Sequence, residues 1–132
     1  MIDAEVKVFN RFHATVAPLC AKGKCVSTII NEEPTGFPAV SLIEMSNVTV
    51  RGKLTSVPAE GFSRVMYQLE VFATTKSKCR EVYAVADDAM IAMNFIRISG
   101  NYIGNAGNTK VFRYVARYEA MIDHDGNIYR TA

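Results

Sequence analysis

The chain has 132 residues, the commonest size for a single domain, and 49% of them are apolar. A formal charge of +2 is too small to argue for nucleic acid or an anionic membrane surface, and no apolar run approaches the ~18 residues that cross a bilayer. The segment Met1-Ile2-Asp3-Ala4-Glu5 lacks the basic start and apolar core of a signal peptide, so the expectation is a protein made and kept in the cytoplasm unless it is assembled into something that leaves.

The first predicted element is a helix over Asp3–Cys20. Ile2, Val6, Phe9, His13, Val16 and Cys20 recur at three- and four-residue steps, as one face of a 3.6-period helix requires. Asp3 is the expected N-cap, Pro18 disturbs the last turn and Gly23 ends the segment. A short strand is predicted over Lys24–Asn31, a turn over Glu32–Gly36, and a second strand over Phe37–Met45 with Pro38 near its start. Asn47–Gly61, with Gly52, Pro58 and Gly61, reads mainly as a long connection, though Val48–Arg51 alternates like a strand.

Two long strands give the clearest signal. Val65, Tyr67, Leu69 and Val71 alternate with Met66, Gln68, Glu70 and Phe72; Phe112, Tyr114, Ala116, Tyr118, Ala120 and Ile122 alternate with Val111, Arg113, Val115, Arg117, Glu119 and Met121. Between them lies a second helix, Lys78–Asn94, capped by Ser77, with Cys79, Val82, Ala86, Ala89, Met90 and Met93 on its apolar face. Ile96–Ser99 reads as a short strand, Gly100–Asn108 as a loop, and Asp125-Gly126 as a hairpin turn. The order predicts one α+β domain over residues 1–132, with an antiparallel or mixed sheet and two helices packed on one face.

Catalytic constellations are missing. The sequence holds two histidines: His13 on the expected buried helix face and His124 in the turn Asp123-His124-Asp125-Gly126, which reads as turn formers before a cation site. No P-loop, dinucleotide fingerprint or nucleophile elbow occurs. The odd cysteine count predicts reduced thiols: Cys20 and Cys25 are close in sequence, Cys79 stands alone, and all three are expected to pack as small hydrophobes. Interleaved Arg113, Tyr114, Arg117 and Tyr118 raise nucleic-acid stacking. Alternation sends the arginines to one face and the tyrosines to the other, which favours a core face backed by a partner-facing one.

Phe37-Pro38-Ala39-Val40-Ser41, Tyr67-Gln68-Leu69-Glu70-Val71-Phe72, Phe95-Ile96-Arg97, Arg113–Ala120 and Ile128-Tyr129-Arg130 together resemble the tail terminator (tail completion, minor tail) proteins of long-tailed bacteriophages. The resemblance covers nearly the whole chain in order and spacing. Members of that family often carry glycine where Asn94 stands, and the Gly100–Asn108 stretch has no match in its pattern. The resemblance implies a virion protein, assembled in the host cytoplasm, that forms a ring, usually a homo-hexamer, on the head-proximal end of the tail tube. Its implied partners are further copies of itself, the tail tube protein and the head-completion protein, with DNA passing through the lumen. No enzyme activity, cofactor, membrane or sequence-specific nucleic-acid binding is implied. Candidate interaction residues are Arg51, Lys53 and Arg64 around the long connection, and Arg113 and Arg117 on the last long strand. Alternative readings are another neck component, such as a head-completion protein, or a small-molecule-binding α+β domain.

Overall fold

The structure, a computed structural model, describes residues 2–21, 23–28, 36–49, 61–104 and 111–130. Helix α1 (Glu5–Val16) runs into a 3-10 turn (Ala17–Leu19); strands β1 (Cys25–Val26), β2 (Ala39–Thr49) and β3 (Phe62–Ala73) follow, then helix α2 (Lys76–Ala92), strands β4 (Ile96–Gly104) and β5 (Phe112–Asp123), and the short β6 (Ile128–Tyr129). The strands form one mixed sheet in the order β1-β2-β3-β5-β4, with β6 pairing the end of β5. Only the β1–β2 pair is parallel; the rest are antiparallel. Both helices share one core with one face of this sheet, which bears out the α+β reading.

That core is built by period two meeting period 3.6. Val65, Tyr67, Leu69 and Val71 of β3 lie beside Ala116, Tyr118, Ala120 and Ile122 of β5, all essentially inaccessible, as their alternation predicts. Tyr67 meets Phe95 edge-on at 5.3 Å between ring centroids. Cys79, Val82, Ala86, Met90 and Met93 bury the predicted face of α2. The face of α1 differs from the expected one. Ala4, Val8, Phe12 and Val16, four residues apart, point inward, while Val6 is 70% exposed and His13 is on the solvent side. This stripe buries the larger apolar Phe12 and leaves the imidazole in water, where its polar atoms cost nothing. Asp3 lies just outside the helix, and its carboxylate accepts the amide of Glu5 at 3.1 Å.

The cap of α2 is Thr75, not Ser77. Its hydroxyl accepts the Lys78 amide at 3.1 Å. At the other end the helix closes with paired reverse bonds: Phe95 N donates to Met90 O and Asn94 N to Ile91 O, with Asn94 at φ +71. That is a Schellman ending, in which the left-handed residue is usually glycine. Asparagine tolerates it, and Asn94 Nδ2 also donates to Ile128 O at 3.0 Å.

Three strand boundaries differ from expectation, each because a partner strand decides them. β1 has two residues where Lys24–Asn31 was expected, and positions 29–35, which held the end of that strand and most of the expected Glu32–Gly36 turn, lie outside the described residues. β2 continues past Met45, since Asn47, Val48 and Thr49 pair with Val65, Arg64 and Ser63 across a bulge between Glu44 and Ser46. The expected Asn47–Gly61 connection therefore begins as strand, and positions 50–60 lie outside the described residues. β4 runs through Gly104, because Ser99–Gly104 pairs with β5. The glycine that made this stretch look like a loop has a packing role. A Cβ on Gly100 would lie 2.6 Å from the Tyr114 hydroxyl, so close approach requires its absence.

Candidate protein-interaction surface

The face of the sheet turned away from the helices is built from the other parity of the same strands. Here Arg64, Met66, Gln68, Glu70 and Phe72 of β3 lie across from Met121, Glu119, Arg117, Val115 and Arg113 of β5. Arg64 and Arg113 reach diagonally, and Arg117 reaches straight across. Arg64 Nε meets Glu119 at 2.9 Å, Arg117 Nε donates to Gln68 Oε1 at 3.2 Å, and Gln68 Nε2 donates to Glu70 Oε1 at 3.1 Å. Arg113 ion-pairs with the same Glu70 oxygen and lies over the Phe72 ring, 5.8 Å from its centroid.

This network separates the sequence candidates. Arg113 is a structural residue: its partner Glu70 is only 4% exposed and would be left as a buried charge without it. Phe72 beneath it belongs to a second small core with Ala39 and Val111, on which Phe37 packs. Arg117 is exposed, and Arg64 holds a surface ion pair with more than half of its side chain in water. Those two are the arginines available to a partner. Arg51 and Lys53 lie outside the described residues. Sequence parity identified the arginines' face but not their partners Glu70, Gln68 and Glu119, since parity reveals neither strand register nor diagonal reach.

Apolar side chains at one end of this sheet were not anticipated. Met45 and Val48 of β2 are 47% and 59% exposed. Phe62 of β3 and Tyr129 of β6 stack edge-on at 6.0 Å between centroids, both close to half exposed. Among the described residues, the outer edge of β4 has no strand partner, and β2 is paired on its β1 side only at Val40 and Ser41. Neither free edge carries proline. The Ser99–Gly104 stretch of β4 carries no charge, and on β2 beyond Ser41 Glu44 is the one charged residue. Such edges lack the charges and prolines that discourage pairing with another chain.

Other polar groups are committed to the fold. On the helix side, Tyr118 donates to Asp87 Oδ1 at 2.5 Å, Arg97 donates to the Tyr83 hydroxyl at 2.7 Å, and Tyr83 stacks on Tyr114 with centroids 3.9 Å apart. Burial raises both Tyr83, to about 12, and Tyr118, keeping them neutral donors. The open depression beside them, about 350 Å³, is lined by Arg80, Tyr83, Ala84, Asp87, Asp88 and Tyr114. In the terminal turn, Asp123 accepts from the Asp125 and Asn127 amides at 2.9 Å and from the Tyr129 hydroxyl at 2.8 Å. Desolvation opposes its ionisation. The Asn127 amide, the Tyr129 hydroxyl, the Asn127 side chain and the Asp125 amide outweigh it and hold the carboxyl below its usual range. This carboxylate is spent on the hairpin. No three His, Cys, Asp or Glu side chains converge on a common point among the described residues, and no helix there is long and apolar enough to cross a membrane. No protein-family model matches the chain, and no curated protein matches it in sequence.

Proposed function

We propose that the protein is a structural assembly protein of a long-tailed bacteriophage, a tail terminator that forms a ring at the head-proximal end of the tail tube. In this role it ends tube polymerisation and presents a surface to the head-completion protein. It acts by binding, with no catalytic step and no cofactor. The observation that carries the reading is the one-sided sheet. Its helices bury one face; among the described residues the opposite face bears exposed arginines and half-exposed apolar side chains, and two unlike edges have no strand partner over most of their length. Two unlike patches on one subunit support head-to-tail contacts, and such contacts close into a ring when the rotation between neighbours allows it. The sequence resemblance supplies the tail as the setting.

Tails assembled with and without the protein test this reading. Tails made with it should have uniform length and join heads, with density for a ring of several copies at one end in negative-stain images. Tails made without it should run over length or stay headless. Normal tails in its absence would reject the role.

A further inference from the structure

Cys20 and Cys25 are brought face to face by a turn. Cys20 is extended, at φ −94 and ψ 159, immediately after the 3-10 turn. The chain then reverses: Lys24 N donates to Ala21 O at 2.9 Å, and Gly23 takes φ +74, a value that glycine adopts without penalty. Cys25 opens β1. Residues that flank a closed four-residue turn leave it side by side, as at the base of a hairpin. Both ends of the turn are pinned to the start of β2, with Ala21 N donating to Pro38 O at 2.9 Å and Val40 N to Lys24 O at 2.8 Å. Each thiol is the largest influence on the other's ionisation, and the Cys20 sulfur lies 3.5 Å from Val16 O.

We propose that Cys20 and Cys25 form a redox-active dithiol, Cys20 attacking and Cys25 resolving, that closes to an intramolecular disulfide when it meets a low-molecular-weight disulfide. Their environments divide these roles. Cys20 is the more accessible of the two, and its Cys25 neighbour holds the thiol below its ordinary value against the opposing effect of desolvation. The neighbouring Cys20 and then burial raise Cys25. The thiolate is the nucleophile, so Cys20 attacks a sulfur of the oxidant. A mixed disulfide forms, and one thiolate leaves and takes up the proton Cys20 has lost. The Cys25 thiol then gives up its proton and attacks the Cys20 sulfur, expelling the second thiol. Two protein thiols are oxidised and one small disulfide is reduced to two thiols. In a reducing compartment the pair is open; on passage to an oxidising one it closes and ties the end of the first helix to β1. Cys79 is an internal control. It is wholly inaccessible, its sulfur lies 3.7 Å from Val71 O, and burial pushes it up to about 11.

The test uses the full chain, reduced, then incubated with glutathione disulfide and read by mass spectrometry after alkylation. The expected product is a monomer lighter by two hydrogens with Cys20 and Cys25 joined and Cys79 free. Cys25→Ser should trap glutathione on Cys20, and Cys20→Ser should react at least tenfold more slowly. Phenylarsine oxide, which bridges two neighbouring thiols without an oxidant, should bind the native wild-type chain one to one and block this closure. A stable glutathione adduct on the wild type would overturn the proposal. So would disulfides between chains, equal reactivity of the two serine variants, or no arsenical bridging of the native protein.

Discussion

At the scale of single residues, the most informative groups are buried polar atoms that lack partners. Glu44 and Tyr67 are cross-strand neighbours on the helix-facing side. The Glu44 Oε1, Asn47 Oδ1 and Tyr67 hydroxyl oxygens are all buried without a hydrogen bond. Burial first, then the charges of Glu5 and Asp3, raise the Glu44 carboxyl, with Asn47 opposing. Burial followed by Glu44, Glu5 and Asp3 raises Tyr67. A carboxyl raised in the folded state binds its proton more tightly there than in the unfolded chain. Its contribution therefore grows as pH falls through the folded value, is complete below the unfolded carboxylate range, and is lost as pH rises. Glu44→Gln should therefore be more stable than wild type at pH 8, with the gap closing by pH 4; urea titrations at both values measure it. On the opposite face, Arg113→Ala should cost about 1.5–3 kcal/mol in the same assay, because Glu70 is left buried without its opposite charge. Arg64→Ala should cost about 0–1 kcal/mol, as surface ion pairs do.

At the scale of elements, β3 and the end of α2 carry sharp expectations. Leu69 is fully buried between the helices and the sheet. Leu69→Ala should lose about 2–5 kcal/mol through transfer and cavity terms together; a loss below half a kcal/mol would mean that this face of β3 is not the core. The Asn94 ending separates backbone from side-chain effects. Asn94→Ala puts a Cβ-bearing residue with no compensating side chain at φ +71 and should cost about 1–2 kcal/mol. Asn94→Gly relieves the backbone but gives up the bond to Ile128 O, so it should fall near neutral. Thermal melts of the pair would rank them. If alanine equals glycine, the left-handed conformation is not what fixes this helix end.

At the scale of the whole molecule, the question is how the sheet face that carries the arginines meets its neighbours. Arg117→Glu changes an exposed side chain that is hydrogen-bonded to Gln68. The monomer's stability should stay within about 0.5 kcal/mol of wild type. Asn101→Lys places a charge on the exposed edge of β4, a device that blocks strand addition. If the proposed ring uses this face and this edge, both variants should stay folded by circular dichroism and fail to cap tails. Capping at the normal length by both would move the contact to other surfaces.

The sequence by itself determined the class of the fold and the parity of its two long strands. Alternation over eight residues or more fixes which side chains share a face, because a slip of one residue would turn every core tyrosine and leucine into water. For the same reason it placed Arg113 and Arg117 opposite Tyr114 and Tyr118, and it placed the buried face of α2, whose apolar stripe has no competitor. Tertiary structure decided the rest. Helix α1 offers two overlapping apolar stripes, and only packing against the sheet chose Phe12 over His13. The ends of β2 and β4 depend on a partner strand, so composition misread Gly100–Gly104 as a loop and put Asn47–Thr49 in a connection, although the alternation from Val48 already pointed to strand. The division of the arginines into structural Arg113 and accessible Arg64 and Arg117 rests on where Glu70 is buried. The meeting of Cys20 with Cys25 rests on a chain reversal at Gly23, because hydrogen bonds and burial are properties of proximity in space, which a linear pattern does not contain.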